Sequence, residues 1–287
     1  MNKAAQLVEK SKTTELISVP DLIQNSIPEL AKMLNDEKAA TRFARIVTTS
    51  CRVNPDLLEC TPLSFMGALF TAAELKLEPV AGHAYLIPFW NSRKVGDGWK
   101  KIREVQLVLG YKGIADLFYR HAKAISLSWG VVHKNDEFEF EKGTDSFLKH
   151  RRALSERGEK IAYWVMAKMS GGCEFEVMSY EECIIHGEKH SKTFDKKSGE
   201  FYKSSPWVTS EDSMCLKTVL KQLSKTLPLS VEIQKAIQAD ETTRYVNPVD
   251  VQSGKVGTVI DLPDQTNWDA PEEPKQLEEG KENEQTN

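Results

Sequence analysis

Ala84 to Leu117 reads AYLIPFWNSRKVGDGWKKIREVQLVLGYKGIADL, and its period changes twice. Ala84–Phe89 and Val105–Leu109 are short apolar runs. In the second, Val105, Leu107 and Leu109 alternate with Gln106 and Val108, the two-residue period of a strand with a buried face. Between the runs lies Asn91–Arg103, with the turn residues Gly96, Asp97 and Gly98, which predicts a hairpin tip. Beyond Gly110 the period lengthens. Ile114, Leu117, Phe118 and His121 share one helical face, so a helix is expected over about Lys112–Lys123.

Working outward, Asp21–Asn35 and Asp36–Val53 show helical periodicity. Thr61-Pro62 opens a further helix as N-cap and first-turn proline. It carries Phe65, Leu69, Ala72 and Leu75 and stops before Glu78-Pro79. Downstream, strands are expected at Ile125–Val132, Glu137–Glu141, Ile161–Lys168 and Cys173–Met178. The last two form a hairpin around Gly171-Gly172, and a helix follows over Met178–Lys189. Lys192–Ser205 reads as a polar loop and Val231–Asp240 as a short helix. The expected division is a flexible segment 1–20, a core 21–240 and an acidic tail 241–287. The tail has several prolines and few aromatics, a composition that predicts disorder.

Charge separates body from tail. From Asp240 onward the chain holds 12 acidic and 4 basic residues, against 30 and 34 before it. A body of net +4 therefore carries a segment of net −8. The five cysteines, Cys51, Cys60, Cys173, Cys183 and Cys215, form no CxxC pair, which reads as reduced and cytoplasmic. No apolar run is long enough to span a membrane, and the N-terminus has no signal-peptide pattern.

Pro206–Pro228, PWVTSEDSMCLKTVLKQLSKTLP, reads as one helix with Thr209 as N-cap and Asp212 three residues on. On a helical wheel Cys215, Leu216, Val219, Leu220, Leu223 and Leu227 form one arc. Lys217, Lys221 and Lys225 lie opposite, about 6 Å apart along the axis. An evenly charged rod with a buried back is suited to a phosphate backbone, although a solvated surface helix has the same pattern. The hairpin tip adds Arg93, Lys94, Lys100, Lys101 and Arg103 against one acid, flanked by Trp90 and Trp99. Cations interleaved with aromatics are what single-strand binding uses. A third basic element is the Tyr111–Lys123 region. Gly110 and Gly113 bracket Tyr111 and Lys112, and Arg120 shares the polar helix face. The glycines permit close backbone approach, to a ligand or to the chain itself.

Several chemistries find no support. There is no GxxxxGK[ST] and no GxSxG. His186 and His190 lie in HGEKH, but the glutamate is misplaced for a zinc-protease helix and no third ligand is implied. Glu137, Glu139 and Glu141 alternate along a strand as its solvent face would, and His83 and His121 sit among apolar residues.

Five stretches together resemble the RecT family of phage and prophage single-strand annealing proteins: Leu63–Phe89, Val105–Leu117, Val131–Gly143, Phe175–Glu182 and Pro206–Ile237. The resemblance implies an α+β fold, with a curved antiparallel sheet, packed helices, a helical N-terminal part and a basic groove for DNA. It implies an ATP-independent recombinase that forms rings or filaments on single-stranded DNA and pairs it with its complement, releasing annealed duplex. The implied partners are a cognate 5′-to-3′ exonuclease and a host single-strand-binding protein. The expected DNA-binding residues are Arg93, Lys100, Lys101, Tyr111, Lys112, Arg120, Lys217, Lys221 and Lys225. No cofactor is expected, and the sequence leaves open whether Mg2+ affects annealing. The rival readings are a passive single-strand binder or RNA chaperone, and a metal-dependent nuclease.

Overall fold

Short helices joined by tight caps open the fold. The computed structural model describes residues 18–80, 82–95, 98–229, 233–234, 236–237, 240, 243–246 and 259–262. The expected flexible segment up to residue 17, the tip residues Gly96 and Asp97 and the tail beyond 262 lie outside them.

Helix α1 (Val19–Asn25) starts at Ser18, whose hydroxyl accepts from the Asp21 N–H. Helix α2 (Ile27–Leu34) ends at Asn35, in the left-handed conformation that asparagine tolerates. Asp36 then caps α3 (Glu37–Val53) by accepting from Lys38 and Ala39 at 2.7 and 3.3 Å. Ala40, Phe43, Ala44, Val47 and Cys51 form the buried stripe of α3. A 3-10 turn (Pro55–Glu59) leads to α4 (Pro62–Glu74). Every residue of α4 from Leu63 to Ala73 is buried, as its nearly unbroken apolar sequence requires.

Around α4 pack α2, a long hairpin and a strand from the far end of the chain. The hairpin is β1 (Ala84–Val95) with β2 (Gly98–Leu109), paired from Ala84↔Leu109 to Val95↔Gly98. The expected hairpin tip Asn91–Arg103 is therefore mostly paired strand. Helix α5 (Tyr111–Tyr119) follows at once. A Cβ on Gly110 or Gly113 would lie 2.1 Å from the carbonyl oxygen of Gly82 or His83. The close approach made by these glycines is to the chain's own backbone.

A second layer is the sheet β3 (Ala124–His133), β6 (Lys160–Met169) and β7 (Gly172–Ser179), with β6 central. Between β3 and β6 the chain throws out a two-stranded arm, β4 (Glu137–Glu141) and β5 (Phe147–Arg151). Asp136 fixes the base of the arm. Its fully buried carboxylate accepts from the His133 and Ala153 N–H groups, both at 2.9 Å, from Arg157 and from His150. The Arg157 guanidinium leads the N–H donors in holding this carboxyl far below the ordinary range, against the upward push of burial.

Helix α6 (Tyr180–His190) opens with a capping box between Ser179 and Glu182. A small ribbon, β8 (Phe194–Asp195) and β9 (Glu200–Phe201), follows. The expected single helix over 206–228 is two: α7 (Pro206–Thr209), capped by Ser205, and α8 (Glu211–Ser224). Ser210, not Thr209, is the N-cap position of α8, and its side chain makes no capping bond. Helix α8 packs against β6, β7, α5 and α6, so Cys215 to Leu220 are buried consecutively. It is a core helix rather than a surface rod.

Strand β10 (Thr243–Val246) pairs with β11 (Val259–Leu262) and lies against α4. The approach is so close that a Cβ on Gly67 would sit 2.2 Å from the Arg244 carbonyl oxygen. Tyr245 is fully buried. The folded core therefore runs past the expected boundary at residue 240, because β10 completes the packing around α4. Every strand pairing described is antiparallel, and the class is α+β. The strands divide among one three-stranded sheet and several two-stranded ribbons instead of forming one continuous sheet.

Candidate nucleic-acid interface

Strand β1 is an edge strand, paired on one side only, and Pro88 withholds one N–H from that open edge. Facing it across a cleft of about 1400 Å³ are α3, the C-terminal end of α6, the segment after His190, and α8. Residues 84–90 all border the cleft, and strand alternation buries the Leu86 side chain while Tyr85, Ile87 and Phe89 on the other face are more open. Trp90, one residue on and so on the other strand face, is half exposed and also borders the cleft.

The cations come from three elements. Arg42 and Arg45, one turn apart on α3, stand on one wall, and Arg42 is paired with Glu78 at 2.9 Å. Lys192 enters from the segment after α6. Its ammonium sits 4.6 Å from the centre of the Phe89 ring and donates to Asn91 Oδ1 at 3.2 Å and Gln106 Oε1 at 3.1 Å. Lys217 and Lys221 come from α8. Tyr202 and Trp207 add rings on the same side. Tyr202 is exposed, whereas Trp207 is buried over Gly187, where a Cβ would meet the indole at 2.8 Å.

Lys217 and Lys221 are not on an exposed arc. Both are largely buried, and both reach Asp240. Lys217 holds it through two oxygens at 2.9 and 3.1 Å, and Lys221 through one at 3.3 Å. The Leu109 N–H donates to the same carboxylate at 2.6 Å, and Gln106 donates to the Asp240 backbone carbonyl at 2.8 Å. Burial pushes the Asp240 carboxyl up. The two lysines and the Leu109 N–H pull it down further, so it lies below the ordinary range and is ionised.

Arg93 is likewise not an exposed cation of the hairpin tip. It is buried, turned into the hairpin's inner face, and grips Glu104 through Nε at 2.9 Å and Nη2 at 2.8 Å. Asn91 donates to the same glutamate at 2.5 Å and to Thr243 Oγ1 at 3.2 Å, and the Tyr245 hydroxyl completes the cluster. The group is a brace between β1, β2 and β10. Arg103 is held by Asp56 and Glu59 and lies 5.5 Å from the Trp90 ring centre.

The remaining expected residues lie outside the cleft lining. Lys112 is exposed, and its chain crosses Gly82, whose N–H donates to the Tyr85 hydroxyl at 2.7 Å. It therefore stands just beyond the Tyr85 end of the cleft. Tyr111 is half-buried, edge-on to Trp129 at 5.6 Å. Arg120 ties α5 to the end of α4 through the Leu75 and Lys76 carbonyls and pairs with Asp116. Lys225 is exposed and donates to Gln222 at 2.9 Å. Lys100 is exposed and Lys101 half-buried on β2. Sequence reasoning missed Arg42, Arg45, Tyr85, Phe89, Lys192 and Tyr202. The one signal available was the alternation of Tyr85, Ile87 and Phe89.

His186 and His190 lie in the cleft wall with ring centres 4.5 Å apart and planes tilted by 38°. Among the described residues no three His, Cys, Asp or Glu side chains converge to hold a metal ion, and no helix is long and apolar enough to cross a membrane.

Residues 41–253 match the RecT family, a span that includes β10 and most of the cleft. The chain is 35% identical over 243 residues to Protein RecT of Escherichia coli strain K12, covering 84% of each chain. This chain belongs to the RecT family.

Proposed function

We propose that the chain is an ATP-independent protein that binds single-stranded DNA, anneals it to its complement and promotes strand exchange in homologous recombination, with the cleft along β1 as its basic groove. The observation that carries this reading is that Arg42, Arg45, Lys192, Lys217 and Lys221 line one open trough together with the rings of Tyr85, Phe89 and Trp90. Cations hold phosphates without regard to sequence, and rings stack on whichever base is present. Annealing needs no bond made or broken. It needs repulsion between two strands neutralised and their local concentration raised. Lys112 would extend the groove past Tyr85, and the exposed Lys100, Lys101 and Lys225 would meet flanking DNA or a neighbouring subunit. Self-assembly on DNA into rings or filaments, supply of the strand by a 5′-to-3′ exonuclease and contact with a host single-strand-binding protein belong to the same proposal, on the strength of family membership.

The test adds one labelled strand and then its complement to ATP-free protein and follows pairing and particle size together. Accelerated pairing with growth in particle size is expected, slowed in Arg45→Ala and Tyr202→Ala. Slower pairing than in buffer would make the protein a passive binder, and loss of the labelled strand with Mg2+ or Mn2+ would make it a nuclease.

A further inference from the structure

Two ammonium groups and a backbone N–H converge on one carboxylate at the floor of the cleft. Lys217, Lys221 and the Leu109 N–H lie between 2.6 and 3.3 Å from the Asp240 oxygens. That donor set is one that binds a phosphate. Lys217, Lys221 and Asp240 border the cleft at its largely buried floor, so the cradle opens toward a ligand in the trough. Resting on the reading of the cleft as the strand groove, we propose that this cradle is a phosphodiester subsite, and that Asp240 is its internal occupant, competing with the DNA backbone.

The geometry suits exchange. Lys217 holds Asp240 through both oxygens, whereas Lys221 reaches one oxygen at the longest of these distances. Lys221, the less buried of the two lysines, is the donor that an entering phosphate meets first. A carboxylate that returns as the phosphate leaves gives the two lysines a partner in both states. The strand is then released without leaving two cations stranded in a buried place. An annealing protein needs such a grip, because a strand held too tightly is not handed over to its complement.

The experiment compares full-length wild type with Asp240→Asn, using a fluorescein-labelled (dT)30 oligonucleotide over a range of salt. With the competitor gone, binding at 0.15 M salt should tighten about three- to tenfold. The salt slope should steepen by about 0.7, one further phosphate contact on a single strand. Free Asp240→Asn should melt below wild type, and the oligonucleotide should raise its melting temperature by more than it raises that of wild type. Unchanged or weaker binding with an unchanged slope would overturn the proposal and make Asp240 a fixed brace. If the free variant does not fold, it is refolded with the oligonucleotide. Recovery of folded complex is expected, and no recovery overturns the idea. Arg45→Ala in the same titration separates the two levels. If it weakens binding while Asp240→Asn changes nothing, the cleft stands and the subsite falls. If neither variant moves, the cleft reading itself falls.

Discussion

Cutting the chain after Asp240 should unfold it, although composition marks everything beyond as tail. The cut removes β10 and with it Tyr245, whose side chain is fully buried and whose hydroxyl donates to Glu104. Loss of a large buried aromatic costs about 3–5 kcal/mol. Its bond to a buried carboxylate is worth about 1.5–3 kcal/mol more. The sum, roughly 5–8 kcal/mol, compares with a total stability of about 5–15 kcal/mol for a typical domain. The assay is urea unfolding followed by circular dichroism and tryptophan fluorescence. The chain ending at Asp240 should be unfolded, or nearly so, without urea. Tyr245→Phe, which keeps the ring, should lose only about 1.5–3 kcal/mol. A chain ending at Asp240 with the full-length midpoint would refute the role given to β10.

Gly67→Ala should destabilise by about 1–3 kcal/mol or more in the same assay, because the new methyl meets the Arg244 carbonyl. A midpoint equal to wild type would mean β10 does not press on α4. Lys217→Ala with Lys221→Ala should cost about 3–5 kcal/mol as well as weakening DNA binding, since Asp240 is left charged and buried. A wild-type melting curve would show that the pairs are incidental. Asp136, held below its ordinary value of 3.8, contributes stability that is complete above that pH and is lost as pH falls below it. Asp136→Asn should therefore be less stable at neutral pH and lose less on acidification, and equal acid sensitivity in both proteins would count against this.

Local signals made much of the fold legible. Thr61-Pro62 marks the start of α4, the alternation of Val105, Leu107 and Leu109 marks β2, and the helix expected over Met178–Lys189 is α6 to within two residues. Failures came where a polar residue is buried by a partner far along the chain. Asn91, Arg93 and Glu104 look like a solvated tip until Thr243 and Tyr245 cover them. Lys217 and Lys221 look like a solvent stripe because a helical wheel assumes one wet face. Helix α8 has no such face over Cys215–Leu220, and the residue that accepts its lysines was counted with the tail. Of the candidate site, the residue types were readable from sequence. Which of them share a cleft was not, since α3, β1, α6 and α8 are brought together only by packing.

The closing segment also sets an order of events on the ribosome. Asn91 meets Thr243 and Gln106 meets Asp240 across separations of 152 and 134 residues. The walls contributed by α3 and β1 are synthesised early, but the floor of the trough and the brace beneath it are among the last parts of the core to emerge. Chains emerge at about 5–20 residues per second and domains fold as units. A nascent chain that has reached Lys221 thus carries its basic residues without the partners that arrange them. The cleft is therefore complete only when the end of the domain has been made.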